Sequence, residues 1–468
     1  MRSKTVDVAI IGAGSAGLAA YRAASEWTSS IVLIEGGEYG TTCARTGCMP
    51  SKLLIAAAEA AHAAAHAGTF GIECAPATVD GRAVMARVRS ERDRFVGFVL
   101  DSVENIPGAH RLQGMARFTG DGRLRVDDTI DIRAQRIVIA TGSTPVWPGH
   151  FAAAGDRLIV NDDIFAWTDL PSSVAVFGPG VIGLELGQAL HRLGVDVKMF
   201  GVGGLIGPLT DPVVRDAAKS VFAREFFLDA DARIRRIEKI GNGVEIEYEG
   251  PAGNPVTTRV DYALAATGRV PNVAGLELWN TSLPLDDRGV PVANPATMQI
   301  GDSPVFIAGD AFPDRPLLHE AADEGRIAGT NAGRYPAIEP GNRRSPLGIV
   351  FSDPQIAMIG TSFAELGERN YVVGEVSFEN QGRSRVMLKN QGLLRVYADS
   401  RDGRFLGAEM LGPRAEHLGH LLAWAHQSSM TVADMLAMPF YHPVVEEGLR
   451  TALRDACRQL SDCMLRAA

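Results

Sequence analysis

The sequence predicts an α/β fold with two similar doubly wound domains and a smaller C-terminal α+β domain. Three observations carry this. A short apolar run, a glycine-rich turn, an alanine-rich helix and a second apolar run follow one another between Thr5 and Glu35. The same series recurs between Ser173 and Phe200. After a polar, Pro/Gly-rich stretch from Pro336 to Pro346, strand-like segments and amphipathic helices alternate. Strand, glycines, helix and strand in that order form the Rossmann pattern, so the first two domains read as dinucleotide-binding folds.

A chain of 468 residues is too long for one ordinary core, and two to four domains are expected. The formal net charge of −9 argues against a nucleic-acid partner. No stretch approaches the roughly 18 uninterrupted apolar residues of a membrane span. The chain runs straight into a strand at Val6 with no signal-peptide pattern before it, so a cytoplasmic location is expected. In a reducing compartment, paired cysteines are more often catalytic than structural.

In the first domain, Thr5 to Ile11 reads as a strand, followed by Gly12-Ala13-Gly14-Ser15-Ala16-Gly17 and a helix from Leu18 to Ser25. Ile31 to Ile34 is the second strand and ends in Glu35. The glycines permit the tight turn, close approach of a pyrophosphate to the helix N-terminus, and helix–strand packing, while Glu35 is placed to accept hydrogen bonds from a ribose. Cys43 and Cys48 follow, with four residues between them, then Pro50, Ser51 and Lys52. A turn of that length puts two sulfurs within disulfide reach, although bare C-x4-C spacing equally suits two unconnected loop cysteines. Pro50 suits the first turn of a helix running from Ser51 to Ala67. Cys48 then lies by the positive end of the helix dipole, which favours thiolate.

The chain is helical in character from Ala56 to about Leu100. His62 and His66 stand one turn apart, a metal-ligand spacing without an evident third ligand, so they read as a solvated face and no metal is expected. Cys74 reads as an ordinary small side chain. Short β-type runs fill Gly108 to Val138, and the buried strand from Arg136 ends in Thr141-Gly142-Ser143. Pro145 and Pro148 mark a boundary. The division expected is 1–147, 148–270, a return segment 271–335, and 345–468.

The second glycine turn is Gly178-Pro179-Gly180-Val181-Ile182-Gly183, with Glu185 inside the helix that follows. Its second strand ends in Gly201-Val202-Gly203-Gly204, with neither the acid that binds a ribose diol nor the arginines that bind a 2′-phosphate. The missing basic cluster favours NAD, with NADP kept open. Tyr262 to Thr267 leads into Gly268-Arg269-Val270-Pro271-Asn272, and Val305 to Ile307 is a strand leading to Gly309-Asp310. A helix opens near Leu318, its N-terminal amides available to an anion. His319-Glu320 lacks the second histidine of H-E-x-x-H, since position 323 is Asp323. In the C-terminal part, Ile349 to Phe351, Val372 to Phe378, Leu393 to Tyr397 and Phe405 to Met410 read as a sheet, with helices at His417 to Gln427 and Val432 to Met438. Near the end, His442 is followed five residues later by Glu447: an imidazole with a pKa near neutrality and an acid to orient it. Cys457 and Cys463, on a helix-like stretch from Thr451 to Leu460, read as incidental cysteines.

The segment Gly40 to Lys52 resembles the redox disulfide of the pyridine nucleotide–disulfide oxidoreductases, G-G-T-C-x4-C-x-P-[SK]-K, with Thr41 where the second glycine usually stands. The resemblance extends over the whole chain. It implies that Cys43 and Cys48 form the redox disulfide, Cys43 exchanging with substrate and Cys48 touching a flavin. It implies FAD in the first fold, held by Gly12, Gly14, Ser15, Ala16, Gly17, Glu35, Thr42, Lys52, Ala116, Thr141, Gly142, Asp310, Leu318 and Ala321. It places NAD on Gly178, Gly180, Val181, Ile182, Gly183, Glu185 and Gly268, with Glu185 paired to Lys52. The segment from His442 to Glu447 is similar to the family's H-P-x-x-x-E, which makes His442 the acid/base and Glu447 its partner. The third domain is then a dimerisation domain, and a homodimer is implied in which this histidine completes the other subunit's site. Pro-Ser-Lys and the missing arginines most resemble the family's dihydrolipoyl dehydrogenases. The implied partners are a dihydrolipoyl group on a carrier domain or a small dithiol, and the core of a 2-oxoacid dehydrogenase complex. An NADPH-dependent disulfide or mercuric reductase is the second expectation, and a non-catalytic flavoprotein docking subunit a remoter one.

Overall fold

The computed structural model describes residues 2–73, 75, 78–460 and 463, so Cys74 lies outside the described residues. One compact unit comprises Met1–Leu53, Ala86–Val146 and Gly268–Arg343. Its sheet runs Arg111–Gln113, Ile31–Glu35, Arg2–Ile11, Ile130–Ile139, all parallel, and Val305–Ile307 joins the far edge of the last strand. Val8 to Ile10 and Ile31 to Leu33 are buried without a break, as in strands covered on both faces. An antiparallel hairpin, Ala116–Gly120 with Arg123–Val126, branches from the first half of Ile130–Ile139.

Helices Ser15–Ser25 and Leu318–Arg334 pack at backbone distance. A Cβ on Gly325 would stand 2.2 Å from the Ala16 carbonyl oxygen, and one on Gly329 2.2 Å from that of Ala20. Glycine at this four-residue spacing is what lets the second helix lie against the first.

The second unit comprises Leu54–Met85, Trp147–Thr267 and Arg344–Ala468. Its parallel sheet runs Phe227–Asp229, Asp196–Phe200, Ser173–Phe177, Tyr262–Ala265, Leu158–Ile159. Beside it, Ile234–Ile240, Gly243–Glu249 and Pro255–Val260 form an antiparallel meander whose inward Ile237, Val244, Ile246 and Val260 are buried. The C-terminal antiparallel sheet runs Leu347–Val350, Gln355–Gly360, Phe405–Gly412, Leu393–Asp399, Tyr371–Ser377. Its core takes in the helices Ala415–Gln427 and Glu446–Arg458. Buried Asp211 accepts from Arg395 Nη1 (2.6 Å) and Tyr397 Oη (2.8 Å), and Glu409 accepts from the Thr210 and Asp211 amides at 2.8 Å. These charge-assisted bonds tie the parallel sheet's connections to the C-terminal sheet.

Candidate redox site and dinucleotide folds

The two cysteines flank a tight turn between helices. Thr42–Arg45 forms one helical turn, and the long helix Cys48–His66, rich in alanine, starts at Cys48 itself. Gly47 makes this return possible, because a Cβ there would meet the Thr42 carbonyl oxygen at 3.0 Å and the Cys43 Cα at 3.2 Å. Thr41 occupies φ +57° and caps the turn, its Oγ1 accepting from the Ala44 amide at 3.3 Å. A threonine in that region carries strain a glycine would not. Both cysteines stand as thiols, Cys43 partly buried and Cys48 exposed. The side-chain hydrogen bond to Cys48, in which the neutral Cys43 thiol donates, then burial, push Cys43 well above its ordinary range, and the Lys52 charge pulls the other way. Lys52 Nζ lies 3.4 Å from Ser51 Oγ, which itself donates to the Cys48 carbonyl at 3.1 Å. Arg45 fixes the preceding loop through the Tyr39 carbonyl (2.8 Å) and Glu38 (3.0 Å).

The first glycine turn has the geometry its sequence implies. Gly12 is at φ +102°, where a Cβ would lie 2.2 Å from the Ala140 carbonyl oxygen, and a Cβ on Gly17 would lie 1.8 Å from that of Gly12. Around Gly14 there is open space, and helix Ser15–Ser25 begins with no side-chain cap on its amides. Glu35 sits at the turn, accepting from the Ala13 amide (2.6 Å) and the Gly37 amide (2.8 Å). Asp310 accepts from Ser143 Oγ at 2.7 Å, and Arg269 holds that hydroxyl at 2.8 Å. Thr141 Oγ1 is buried with no hydrogen-bond partner in the structure. An open glycine, uncapped amides and an orphaned hydroxyl along one sheet edge fit a dinucleotide. Ala116 and Ala321 are buried in the same unit, while Leu318 is exposed at the start of its helix and Thr42 at the start of the cysteine turn.

Nothing in the local sequence marks Glu324 and Arg343 as partners. Glu324, wholly buried, accepts from the Gly309 amide at 2.9 Å, and Arg343 Nη2 lies 3.1 Å from Glu324, 3.0 Å from Glu320 and 3.2 Å from Asp314. Burial raises Glu324 to about 7 against the pull of Arg343.

The second turn repeats the first. A Cβ on Gly178 would stand 2.4 Å from the Ala266 carbonyl oxygen, one on Gly183 would stand 1.9 Å from that of Gly178, and Gly180 is open. Helix Val181–Arg192 starts there, also without a side-chain cap, with Val181 and Ile182 in its first turn. Glu185 is buried, its Oε1 accepting from the Phe351 amide at 3.0 Å. Gly268, at φ +125°, ends up in the first unit, its carbonyl accepting from the Val146 amide at 3.0 Å.

His442 and Glu447 are brought together: Nδ1 lies 3.0 Å from Oε2, with His442 80% exposed and Glu447 18% exposed. The Glu447 carboxyl is held below its usual range, chiefly by this bond. Arg450, one turn along the helix, takes the other carboxylate oxygen at 2.9 Å and lies over the Phe440 ring at 5.5 Å. Its i, i+3 spacing from Glu447 was the signal by which the sequence could have found it. Glu446 is half-buried beside the pair.

Cys457 and Cys463 are not incidental: they form a disulfide, and both are buried. The helix ends at Arg458, short of Cys463, and the two Cα atoms lie 5.3 Å apart. The His62 and His66 rings lie tilted against each other with centroids 4.0 Å apart, and burial, then the Arg192 guanidinium, hold His62 down at about 4. Among the described residues no group of three His, Cys, Asp or Glu side chains is placed to hold a metal ion.

Two dinucleotide folds with a dithiol at the first helix beyond one of them define a flavin- and nicotinamide-linked oxidoreductase acting on sulfur. The chain belongs to the pyridine nucleotide-disulphide oxidoreductase family: residues 6–325 match that family and residues 347–453 match its dimerisation domain. The family uses FAD and NAD(P). A dihydrolipoyl dehydrogenase of Halobacterium salinarum is 29% identical, over 97% of this chain and 97% of that protein. Dihydrolipoyl dehydrogenase 3 of Pseudomonas aeruginosa is also 29% identical, over 97% and 98%. In fold, the chain is similar to the HOCl-induced flavoprotein disulfide reductase RclA of Escherichia coli (TM-score 0.81, 22% identity, 96% of this chain and 99% of that one). It is also similar to LpdA of Mycobacterium tuberculosis (TM-score 0.80, 22% identity, 96% and 99%). No helix among the described residues is long and apolar enough to cross a membrane.

Proposed function

We propose that the chain is a dihydrolipoyl dehydrogenase, oxidising a dihydrolipoyl group on a carrier domain, or a small dithiol, with NAD as final acceptor. The observation that carries this reading is the Cys43/Cys48 pair at the start of helix Cys48–His66 in a flavin-type fold. The relatives named dihydrolipoyl dehydrogenase and the absence of arginine from Gly201 to Gly204 support it.

Turnover starts from the oxidised Cys43–Cys48 disulfide. His442 takes the proton of one substrate thiol, with Glu447 supporting the imidazolium, as the thiolate attacks Cys43 Sγ. The Cys43–Cys48 bond breaks and Cys48 leaves as thiolate. The second substrate sulfur then attacks the mixed disulfide, its proton passing to the departing Cys43 sulfur, which releases oxidised lipoyl and a reduced Cys43/Cys48 pair. FAD, when bound, would supply the two-electron redox chemistry that links the dithiol to NAD. Gly12, Gly14, Glu35 and Asp310 would hold it, and Gly178, Gly180 and Glu185 would serve the nicotinamide nucleotide. In the homodimer this reading requires, each chain's His442 serves the other chain's dithiol. Cytoplasmic location and docking to a 2-oxoacid dehydrogenase core belong to the same reading.

The test is NAD reduction by the purified, FAD-loaded protein with dihydrolipoamide, run against NADP in parallel. Fast, NAD-selective turnover is expected. Negligible turnover, with the flavin reduced by NADPH, would replace this reading with an NADPH-dependent disulfide or metal reductase.

A further inference from the structure

In a Rossmann fold the second strand ends at an acid that binds the ribose 2′-hydroxyl of NAD, whereas an arginine there accommodates the 2′-phosphate of NADP. Strand Asp196–Phe200 ends instead at Gly201. No acid could stand at that position. A Cβ on Gly201 would lie 2.7 Å from the Ala230 carbonyl oxygen and 2.7 Å from Pro179 Cγ, inside the glycine turn itself.

A carboxylate reaches the same place from the neighbouring strand. Phe227–Asp229 pairs in parallel with Asp196–Phe200, Phe200 opposite Asp229. Beyond their ends the two loops stay bonded: the Gly201 amide to the Asp229 carbonyl (2.7 Å), the Ala232 amide to the Gly201 carbonyl (2.9 Å), and the Gly204 amide to the Ala230 carbonyl (3.0 Å). Asp231 Oδ1 accepts from the Gly203 amide at 2.7 Å, and the Asp231 amide is held by Asp229 Oδ1 at 3.1 Å. Asp231 is exposed, and Gly203 and Gly204, at φ +68° and +70°, have open space where a Cβ would be. Arg233, the nearest arginine in sequence, lies 3.9 Å from Glu249.

We propose that Asp231 is the specificity residue of the second fold, accepting the ribose 2′-hydroxyl of NAD and repelling the 2′-phosphate of NADP. The inference rests on the NAD-linked reading above. A carboxylate has lone pairs beyond the one engaged by Gly203, so its second oxygen can accept a hydroxyl while the loop stays folded. A phosphate dianion brought to the same spot meets like charge with no cation in the Gly201–Gly204 loop.

The test is flavin reduction by NADH and by NADPH in the FAD-loaded protein, followed by stopped flow without any thiol substrate. It therefore does not depend on dihydrolipoamide being the substrate. Asp231→Asn keeps an acceptor for the Gly203 amide and removes the charge; Asp231→Ala removes both. The wild type is expected to favour NADH. In Asp231→Asn the apparent affinity for NADPH should rise and that for NADH fall, shifting their ratio by about tenfold or more, with the limiting rate of reduction by NADH kept. If Asp231→Asn matches the wild type with both nucleotides while Asp231→Ala weakens both equally, Asp231 only holds the loop and the inference is wrong. A wild type that prefers NADPH would overturn the NAD reading and this inference together.

Discussion

Nδ1 of His442 donates to Oε2 of Glu447 across 3.0 Å, because an ionised carboxylate can only accept. Nε2 of His442 is thereby left as the acceptor, the form a general base requires. Glu447→Gln keeps the shape and removes the charge that supports an imidazolium. Turnover with dihydrolipoamide should fall roughly 10- to 100-fold, with flavin reduction by NADH unchanged, and His442→Ala should cost about 100-fold or more. Glu447 also carries a pH signature. Its carboxyl is held below the ordinary range, so its contribution to stability is present above the unfolded-state value near 4.3 and disappears as pH falls through the lower folded value. Melting curves from pH 6 down to 3 should be less steep in Glu447→Gln than in the wild type. An equal slope would mean that the bond to His442 adds nothing to the folded state.

Cys43→Ser should separate the two halves of the reaction. Flavin reduction by NADH and transfer to an artificial dye do not pass through Cys43, so both should survive. Dithiol oxidation should fall by at least roughly a thousandfold, since a serine hydroxyl cannot form the mixed disulfide. Parallel dye-reduction and dihydrolipoamide assays decide it, and retained dithiol turnover would move the exchange sulfur elsewhere.

What the sequence made legible is short-range and backbone-driven. Gly12 and Gly17 are forced by the Ala140 and Gly12 carbonyls, closely similar distances return at Gly178 and Gly183, and Gly14 and Gly180 are left with open space. Glu447 finds His442 within a single helix start. Contacts between distant segments left no such trace. Arg343 and Glu320 are ordinary charged residues until the chain brings them to 3.0 Å. The meander from Ile234 to Val260 is crowded with Arg, Lys and Glu, which mask the alternation of its inward residues. Asp231 lies in the turn after strand Phe227–Asp229, a distant segment from Gly201–Gly204 in the sequence, and only the paired loops bring it to the Gly203 amide. The Cys457–Cys463 pairing depends on where a helix stops, and boundaries are weakly encoded.

That disulfide should be structural. Cys457 is 0% and Cys463 6% exposed, so neither sulfur is offered to a substrate. The helix that carries Cys457 lies on strand Tyr371–Ser377 at backbone distance, with the Ala452 carbonyl 2.0 Å from where a Gly374 Cβ would be. Cys457→Ser combined with Cys463→Ser should cost about 2 kcal/mol by the loop-closure argument for so short a ring, and leave dihydrolipoamide turnover at 25 °C unchanged. Urea unfolding and steady-state kinetics on one preparation test both parts. Full stability with lost turnover of a protein disulfide would instead make the pair a redox relay.

In the flavin-type fold, Arg343 balances two buried carboxylates. Glu320 and Glu324 are 1% and 0% exposed, and the arginine that neutralises them is itself only 15% exposed. Removing one partner of a buried ion pair leaves the other charge unpaired, a loss of about 3–5 kcal/mol. Arg343→Met should therefore approach that loss at alkaline pH, where the wild-type carboxylates are ionised and paired. It should also weaken FAD retention, because Glu324 holds the Gly309 amide directly before Asp310. The pH dependence has a definite sign. With Glu324 at about 7 in the folded protein, above its unfolded value, the native state binds the extra proton, and stability falls as pH rises towards 7. Without Arg343 the carboxyl moves higher still, so the wild type ionises above pH 7 while the variant stays protonated. The gap in stability between wild type and Arg343→Met should widen from pH 7 to pH 9. Calorimetry across that range, with flavin content after gel filtration, tests the argument. A pH-independent gap with full FAD retention would show that Arg343 packs against the carboxylates without governing their charge.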